Sequence, residues 1–129
     1  MTDPIADMLN QIKNAQAVNK QTIEIPYSDL KYEVAKTLEN NKFILSVEKK
    51  GRKTKRSLEL ALKYTEGKGA ISGVKRISKP GQKIYNGYRD ISKVMDGYGM
   101  AIISTSKGIK TDREVRKEKL GGEILAKIW

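Results

Sequence analysis

The strongest constraint on the fold comes from one segment in the first half of the chain, FILSVEKKGRKTKRSLELALKY. Near both of its ends apolar residues alternate with polar ones, at Phe43, Leu45 and Val47 and again at Leu58, Leu60 and Leu62. A period of two is typical of a strand with one buried face, and the charged residues between the two runs indicate a turn. The segment therefore predicts a hairpin with one apolar face.

Two amphipathic helices are predicted before this hairpin. The first follows Asp3, which can cap a helix, and has Pro4 in its first turn. Its apolar residues recur on one face, at Ile5, Met8, Leu9 and Ile12. The second helix begins after Ser28, and a short strand, TIEIP, lies between the two. The first half is therefore predicted to have the element order αβαββ.

The second half is predicted to consist mostly of short strands that follow a linker, EGKGA. A buried strand is predicted at MAIIST and a closing strand at GEILAKIW. Thr111 and Glu114 form a capping-box pattern for a short helix, which Gly121 can end in a left-handed conformation. We therefore predict an α+β (mixed α/β) fold with two small lobes. The N-terminal αβαββ domain spans residues 1–65, and a C-terminal, mostly β domain with short helices spans residues 66–129.

The charge of the chain indicates a polyanionic partner. Its 26 lysine and arginine residues outnumber its 15 aspartate and glutamate residues, which gives a formal net charge of +11. The excess is +4 over residues 1–65 and +7 over residues 66–129, so it is not confined to a tail. A basic folded body of this kind is typical of proteins that bind nucleic-acid phosphates, whereas a membrane-surface helix would concentrate its basic residues.

The residue types that the chain lacks exclude most catalytic chemistry. It has no cysteine for a disulfide or thiolate site, and no histidine for a Ser-His-Asp triad or a histidine zinc site. The carboxylates show no metal-binding spacing, so we expect no enzyme, metal or cofactor. One catalytic alternative stays open, a serine nucleophile at Ser104 or Ser106 with Lys107 as its base. We also expect a cytoplasmic location, without an export signal or a membrane span.

Three clusters are candidates for nucleic-acid binding. The first is the basic hairpin turn KKGRKTKR, in which Lys55 borders the outgoing strand. The second is VKRISKPGQKIYNGY, where Tyr85 lies among lysines and can stack on a base. The third is STSKG, whose hydroxyl residues end the buried strand beside Lys107. Each cluster also has a purely structural interpretation, as a solvated turn, a tyrosine packed on the sheet, or a turn before a capped helix.

The motifs TDPIADML, SKPG, STSKG, TDRE and LGGEI occur in this order along the chain. On these motifs the chain resembles, from end to end, the family of the eighth protein of the bacterial small ribosomal subunit. The resemblance implies a non-enzymatic, two-domain structural constituent of the ribosome. Such a protein binds early and directly to an irregular helix in the central domain of 16S ribosomal RNA and helps to assemble the platform of the 30S subunit.

The resemblance also implies partners and site residues. Partners are neighbouring small-subunit proteins, with the fifth and twelfth as candidates, and in some bacteria the messenger RNA of its own operon, whose translation it represses. The RNA-binding residues fall in two turns and at secondary positions: Ser104, Thr105, Ser106 and Lys107; Gly121, Gly122 and Glu123; and Tyr85, Lys55, Thr2, Asp3 and Pro4. Tyr98 departs from the leucine that the family pattern leads us to expect between the two glycines.

The residues alone leave two other functions open. A general RNA chaperone or regulator would bind many RNAs almost equally, because its lysines would contact phosphates without regard to sequence. A small magnesium-dependent nuclease or RNA-modifying enzyme would act only when magnesium is added.

Overall fold

The computed structural model describes residues 3–129, except the side chain of Asp96. The chain divides into two compact units, one formed by Pro4–Ile71 and the other by Asp3 with Ser72–Trp129. Both units combine helices and antiparallel strands, which confirms the predicted α+β class. The functional domain boundary between residues 65 and 66 stays a prediction. Within residues 3–129, no helix is long and apolar enough to cross a membrane.

The N-terminal unit follows the predicted order of two helices and three strands. Its main elements are α1 (Pro4–Ala17), β1 (Thr22–Pro26), α2 (Asp29–Asn40), β2 (Ile44–Lys50) and β3 (Ser57–Leu62). The strands form an antiparallel sheet in the order β1-β3-β2. The Ser28 hydroxyl accepts a hydrogen bond from the Lys31 N–H and caps α2 as predicted. Helices and strands share one apolar core, which includes Ile5, Leu9, Ile12, Ile25, Val34, Leu38, Ile44, Val47, Leu58 and Leu60.

The predicted buried face of β2 is wrong at Leu45, which is 62% exposed. A β-bulge explains the difference. Ile44 pairs with Leu62 and Ser46 pairs with the adjacent Ala61, so Leu45 is an extra residue without a partner in β3. Because one inserted residue reverses the alternation, Ile44 and Val47 become the buried side chains of this strand.

The segment predicted as a linker instead forms a small hairpin of β4 (Tyr64–Thr65) and β5 (Lys68–Gly69). The chain that follows is held to α1 by a buried glutamine. The side-chain amide of Gln16 donates to the Ile71 carbonyl at 2.9 Å and accepts from the Ile71 N–H at 3.2 Å. Both buried backbone groups of Ile71 are thereby satisfied by one side chain.

The C-terminal unit is built around its last strand, β10 (Gly122–Ile128). Three strands pair antiparallel with β10, namely β6 (Val74–Arg76), β7 (Tyr85–Asn86) and β8 (Met100–Thr105). On its other side β8 pairs with β9 (Gly108–Thr111). Short 3₁₀ turns lie at Tyr88–Asp90 and Met95–Gly97. The buried strand and the closing strand predicted from the sequence are confirmed.

The short helix α3 (Asp112–Glu118) covers part of this unit's core. It begins with the predicted capping box, in which Thr111 Oγ1 accepts from the Glu114 N–H and the Glu114 carboxylate accepts from the Thr111 N–H. Asp112 is buried, accepts from the Ala101 N–H at 3.0 Å and pairs with Arg116 at 2.9 Å. The residue predicted to take the left-handed conformation is wrong, because it is the C-cap Lys119, with φ of 56°, and not Gly121.

We predict that Gln16→Leu destabilises the protein by about 2 kcal/mol, because it leaves the buried N–H and carbonyl of Ile71 without partners. Urea unfolding measures the change. The matched control is Gln11→Leu, an exposed position on the same helix, where we expect a change below about 0.5 kcal/mol. Equal losses in the two variants would contradict the role of the buried amide.

Candidate nucleic-acid interface

Three of the predicted site residues lie side by side across the C-terminal sheet. Glu123 of β10 pairs with Tyr85 of β7 on one side and with Ser104 of β8 on the other. Directly opposed residues of antiparallel strands point to the same face of a sheet. An aromatic ring, a carboxylate and a hydroxyl therefore form a continuous row, which we call the polar row.

The turn from β8 to β9 lies at the end of the polar row. The Thr105 hydroxyl accepts from the Lys107 N–H at 3.1 Å and donates to the Gly108 carbonyl at 2.8 Å. These two bonds hold the turn from within, in the manner of an ST turn. Ser106 and Lys107 are exposed. Thr105 thus shapes the turn, while its two neighbours are available to a ligand.

Gly121 and Gly122 bring β10 close to the strands on both sides. A Cβ atom on Gly122 would lie 2.2 Å from the Ser104 carbonyl oxygen, and one on Gly121 would lie 2.9 Å from the Asn86 carbonyl oxygen. Contacts this short are not tolerated, so the β10 backbone can reach its position only without side chains here. The two glycines are therefore required for the polar row to assemble.

In the polar row, one oxygen of the Glu123 carboxylate accepts no hydrogen bond from the described residues. Its Oε2 atom is buried and has no hydrogen-bond partner among the residues that the structure describes. The nearest cation is the Lys83 ammonium, 3.7 Å away, which forms an ion pair longer than a hydrogen bond. A buried carboxylate oxygen in this state can accept a hydrogen bond from an incoming donor.

Tyr85 is 68% exposed, so its ring faces solvent and does not pack into the sheet. A buried serine fixes the chain that presents it. Ser78 Oγ accepts from the Ile84 N–H at 2.9 Å, and its hydroxyl lies 3.3 Å from the Ile84 carbonyl, to which it donates. The same carbonyl accepts from the Ile124 N–H of β10 at 2.9 Å. Ser78 and β10 together hold β7 in register.

The remaining predicted site residues belong neither to the polar row nor to the two C-terminal turns. Asp3 pairs with Arg76 of β6 at 3.1 Å, and β6 pairs with the far end of β10, at Ala126–Ile128. Pro4 begins α1, and Lys55 is exposed in the turn between β2 and β3, so both belong to the N-terminal unit. Thr2 lies outside the described residues. The structure thus brings together the residues of the two C-terminal turns with Tyr85.

Sequence reasoning did not identify two residues that shape this surface. Ser78 was missed, because a serine at the end of a short strand carries no signal that it is buried and bonded to Ile84. Lys83 was noted only as one of several basic residues near Tyr85. Its pairing with Glu123 depends on the register of β7 and β10, which are far apart in the sequence.

The functional groups on this surface are suited to binding a ligand. It offers hydroxyls that donate and accept, a carboxylate that accepts, two ammonium groups and one aromatic face. Among the described residues, no group of three or more histidine, cysteine, aspartate or glutamate side chains is placed to hold a metal ion. Hydroxyls beside exposed backbone and a stacking ring suit a polyhydroxylated, phosphate-bearing ligand with planar bases.

Comparison with known proteins identifies the family. The family model described as ribosomal protein S8 matches residues 3–129. Similar curated proteins are called small ribosomal subunit protein uS8. One from Mycoplasma mobile is 47% identical over 129 residues, covering 100% of this chain and 97% of the relative. One from Alkaliphilus metalliredigens is 49% identical over 130 residues, covering 100% and 98%. One from Bordetella avium is 47% identical over 128 residues, covering 99% and 98%. The chain therefore belongs to the ribosomal protein S8 family.

Proposed function

We propose that this chain binds directly to an irregular, internally looped helix in the central domain of 16S ribosomal RNA and thereby helps to assemble the platform of the small subunit. Its family makes it a structural constituent of the small ribosomal subunit in the cytoplasm. The observation that carries the proposal is the polar row with the Ser104–Lys107 turn beside it. The principal RNA-binding surface then lies in the C-terminal domain, residues 66–129.

The small residues of this surface select RNA by its shape. Ser104 and Ser106 carry short hydroxyl side chains, and Gly121 and Gly122 carry none. RNA whose bases are rearranged by an internal loop can approach such a surface closely, and the hydroxyls then bind a ribose 2′-OH, a phosphate oxygen or a base edge. A regular A-form duplex has no unstacked bases to offer these groups.

Glu123 and Tyr85 add contacts of different chemistry. The buried Oε2 of Glu123 accepts a hydrogen bond from a base amino group or a ribose hydroxyl, which would satisfy an acceptor that has no hydrogen-bond partner among the described residues. Tyr85 stacks on an unpaired base. Lys107 and Lys83 supply phosphate contacts, which strengthen binding in a salt-dependent manner.

The secondary contacts and further partners are also part of the proposal. Lys55 and the residues around the start of α1, namely Thr2, Asp3 and Pro4, contact RNA outside the principal surface. The protein partners are neighbours in the small subunit, with the fifth and twelfth small-subunit proteins as candidates, and the messenger RNA of the chain's own operon is a candidate for translational repression. The chain performs these tasks without enzymatic activity, metal or cofactor.

We predict that Ser106→Arg weakens binding to the internally looped helix by at least about tenfold, or about 1.4 kcal/mol. The added positive charge would by itself favour RNA, so a loss can only come from the bulky side chain holding the RNA away from the turn. Binding at matched salt gives the comparison. Lys50→Ala, which removes a positive charge from the N-terminal hairpin, should cost much less, and equal losses would show that the turn has no special role.

We predict that Tyr85→Ala weakens binding to the looped helix by about 1–3 kcal/mol, the range measured for loss of one base-aromatic stack. Tyr85→Phe should retain nearly full affinity, because it keeps the ring and removes only the hydroxyl. The two variants are compared by fluorescence anisotropy with labelled RNA. If the phenylalanine variant loses as much as the alanine variant, the hydroxyl and not the ring makes the contact.

A further inference from the structure

One asparagine of the chain differs from the others in the residue that follows it. The chain has six asparagines, and only Asn86 precedes a glycine, Gly87. The other five are Asn10, Asn14, Asn19, Asn40 and Asn41. The side-chain carbonyl carbon of an asparagine can react with the backbone nitrogen of the next residue, and a side chain on that residue hinders the approach. Because glycine has no Cβ atom, the nitrogen that follows Asn86 is the least shielded of these.

Neither of the two reacting groups is held by a hydrogen bond. Among the described residues, the side-chain amide of Asn86 has no hydrogen-bond partner, and the Gly87 N–H donates to no acceptor. The Gly87 carbonyl, in contrast, accepts from the Asp90 N–H at 3.0 Å. A reaction between the Asn86 side chain and the Gly87 nitrogen therefore sacrifices no hydrogen bond of either group.

The position of Asn86 in the sheet allows the backbone to move. Asn86 is the last residue of β7, a strand of two residues that pairs with β10 alone among the described strands. Gly87 follows it and is exposed. The end of a short strand with a neighbour on one side opens at a low free energy. Local opening lets the Asn86 backbone rotate, which brings its side-chain carbonyl carbon against the Gly87 nitrogen.

A cavity beside Asn86 provides space for the side chain to turn and for water to enter. Asn86 lines it together with residues that include Ile84, Asp90 and Lys127, and its volume is about 90 Å³. A water molecule needs roughly 10–15 Å³ of such volume, and polar groups at the rim favour its entry. The site is therefore accessible to the water that hydrolysis requires.

We propose that Asn86 and Gly87 form a self-modification site, at which Asn86 converts to aspartate and isoaspartate without an enzyme. The Gly87 nitrogen loses its proton to water and attacks the side-chain carbonyl carbon of Asn86. A new C–N bond forms, the C–N bond of the side-chain amide breaks, and the amide nitrogen takes up a proton and leaves as ammonia. Water then opens the resulting succinimide ring at either of its carbonyl groups. The net reaction consumes water and releases ammonia.

Both products change the surface beside the polar row. Aspartate adds a negative charge next to Tyr85, because its carboxyl group is ionised at neutral pH. Isoaspartate carries the main chain through its Cβ atom, which lengthens β7 where Gly121 already lies close to the Asn86 carbonyl. Conversion therefore weakens RNA binding, by repelling phosphates and by displacing Tyr85. This consequence rests on the proposed function, whereas the modification itself does not.

The test follows the masses of tryptic peptides while the full chain is incubated in warm, mildly alkaline buffer. Conversion makes the peptide of residues 84–89, IYNGYR, heavier by the difference between a hydroxyl and an amino group. Electron-transfer fragmentation distinguishes aspartate from isoaspartate. We expect conversion in this peptide, faster as the pH rises because more of the Gly87 nitrogen is deprotonated. The peptide of residues 14–20, which contains Asn14 and Asn19, should stay unchanged.

Two variants of Gly87 provide the matched controls. Gly87→Pro should abolish conversion, because proline has no N–H to lose and its fixed φ is close to the −76° of Gly87. Gly87→Ala places a Cβ atom where no atom of a non-adjacent residue lies within 4 Å. It should slow conversion by at least about tenfold, or roughly 1.4 kcal/mol of activation free energy. Fluorescence anisotropy with the looped RNA helix should show that incubated wild type loses affinity in proportion to its converted fraction, while incubated Gly87→Pro does not.

Three results would overturn the site. They are no conversion in the full chain under conditions in which a synthetic IYNGYR peptide converts, equal conversion at residues 14–20, and unchanged conversion in both Gly87 variants. Conversion without loss of RNA affinity would overturn the consequence for binding. Because the masses are measured without RNA, failure of the proposed function is distinct, and it would be seen as a freshly prepared chain that does not prefer the looped helix.

Discussion

The close approach of β10 to β8 is the constraint on which the candidate interface depends. At Gly122 the backbone of β10 lies so near the Ser104 carbonyl that a Cβ atom would be 2.2 Å from it. This approach places Glu123 between Tyr85 and Ser104. The surface is thus made by backbone geometry first, because a side chain at Gly121 or Gly122 would prevent the strands from meeting.

The two units use charge in different ways. In the C-terminal unit Lys83 and Glu123 form an ion pair at the polar row, where one oxygen of the Glu123 carboxylate accepts no hydrogen bond from any residue that the structure describes. In the N-terminal hairpin of β2 and β3, Lys50 pairs with Glu59 across the two strands, and Lys49 and Arg56 lie over tyrosine rings. Affinity from free lysines is weakened by salt, whereas hydrogen bonds and stacking at a closely fitting surface are weakened less. In the proposed function, specificity and general attraction to RNA therefore come from different residues.

Structural features that depend on residues close together in the sequence could be predicted. Features that depend on residues far apart in the sequence could not. The capping box at Thr111 was predicted because its partner is three residues away, and the alternation in β3 because a strand with one buried face has a simple period. The bulge at Leu45 and the bonds of Gln16 to Ile71 depend on residues distant in the chain. The family resemblance indicated the two turns and Tyr85 as site residues. It did not indicate that one Glu123 oxygen has no hydrogen-bond partner among the described residues, because this depends on the register of β7, β8 and β10.

In the proposed function, a surface of small polar residues selects RNA by its shape. The most direct measurement compares binding of the full chain to the internally looped helix of central-domain 16S ribosomal RNA and to a fully paired helix of equal length, over a series of salt concentrations. We expect the preference for the looped helix to persist at high salt, because the contacts that select it do not depend on counterion release. Convergence of the two affinities as salt rises would contradict it and would support a general RNA chaperone.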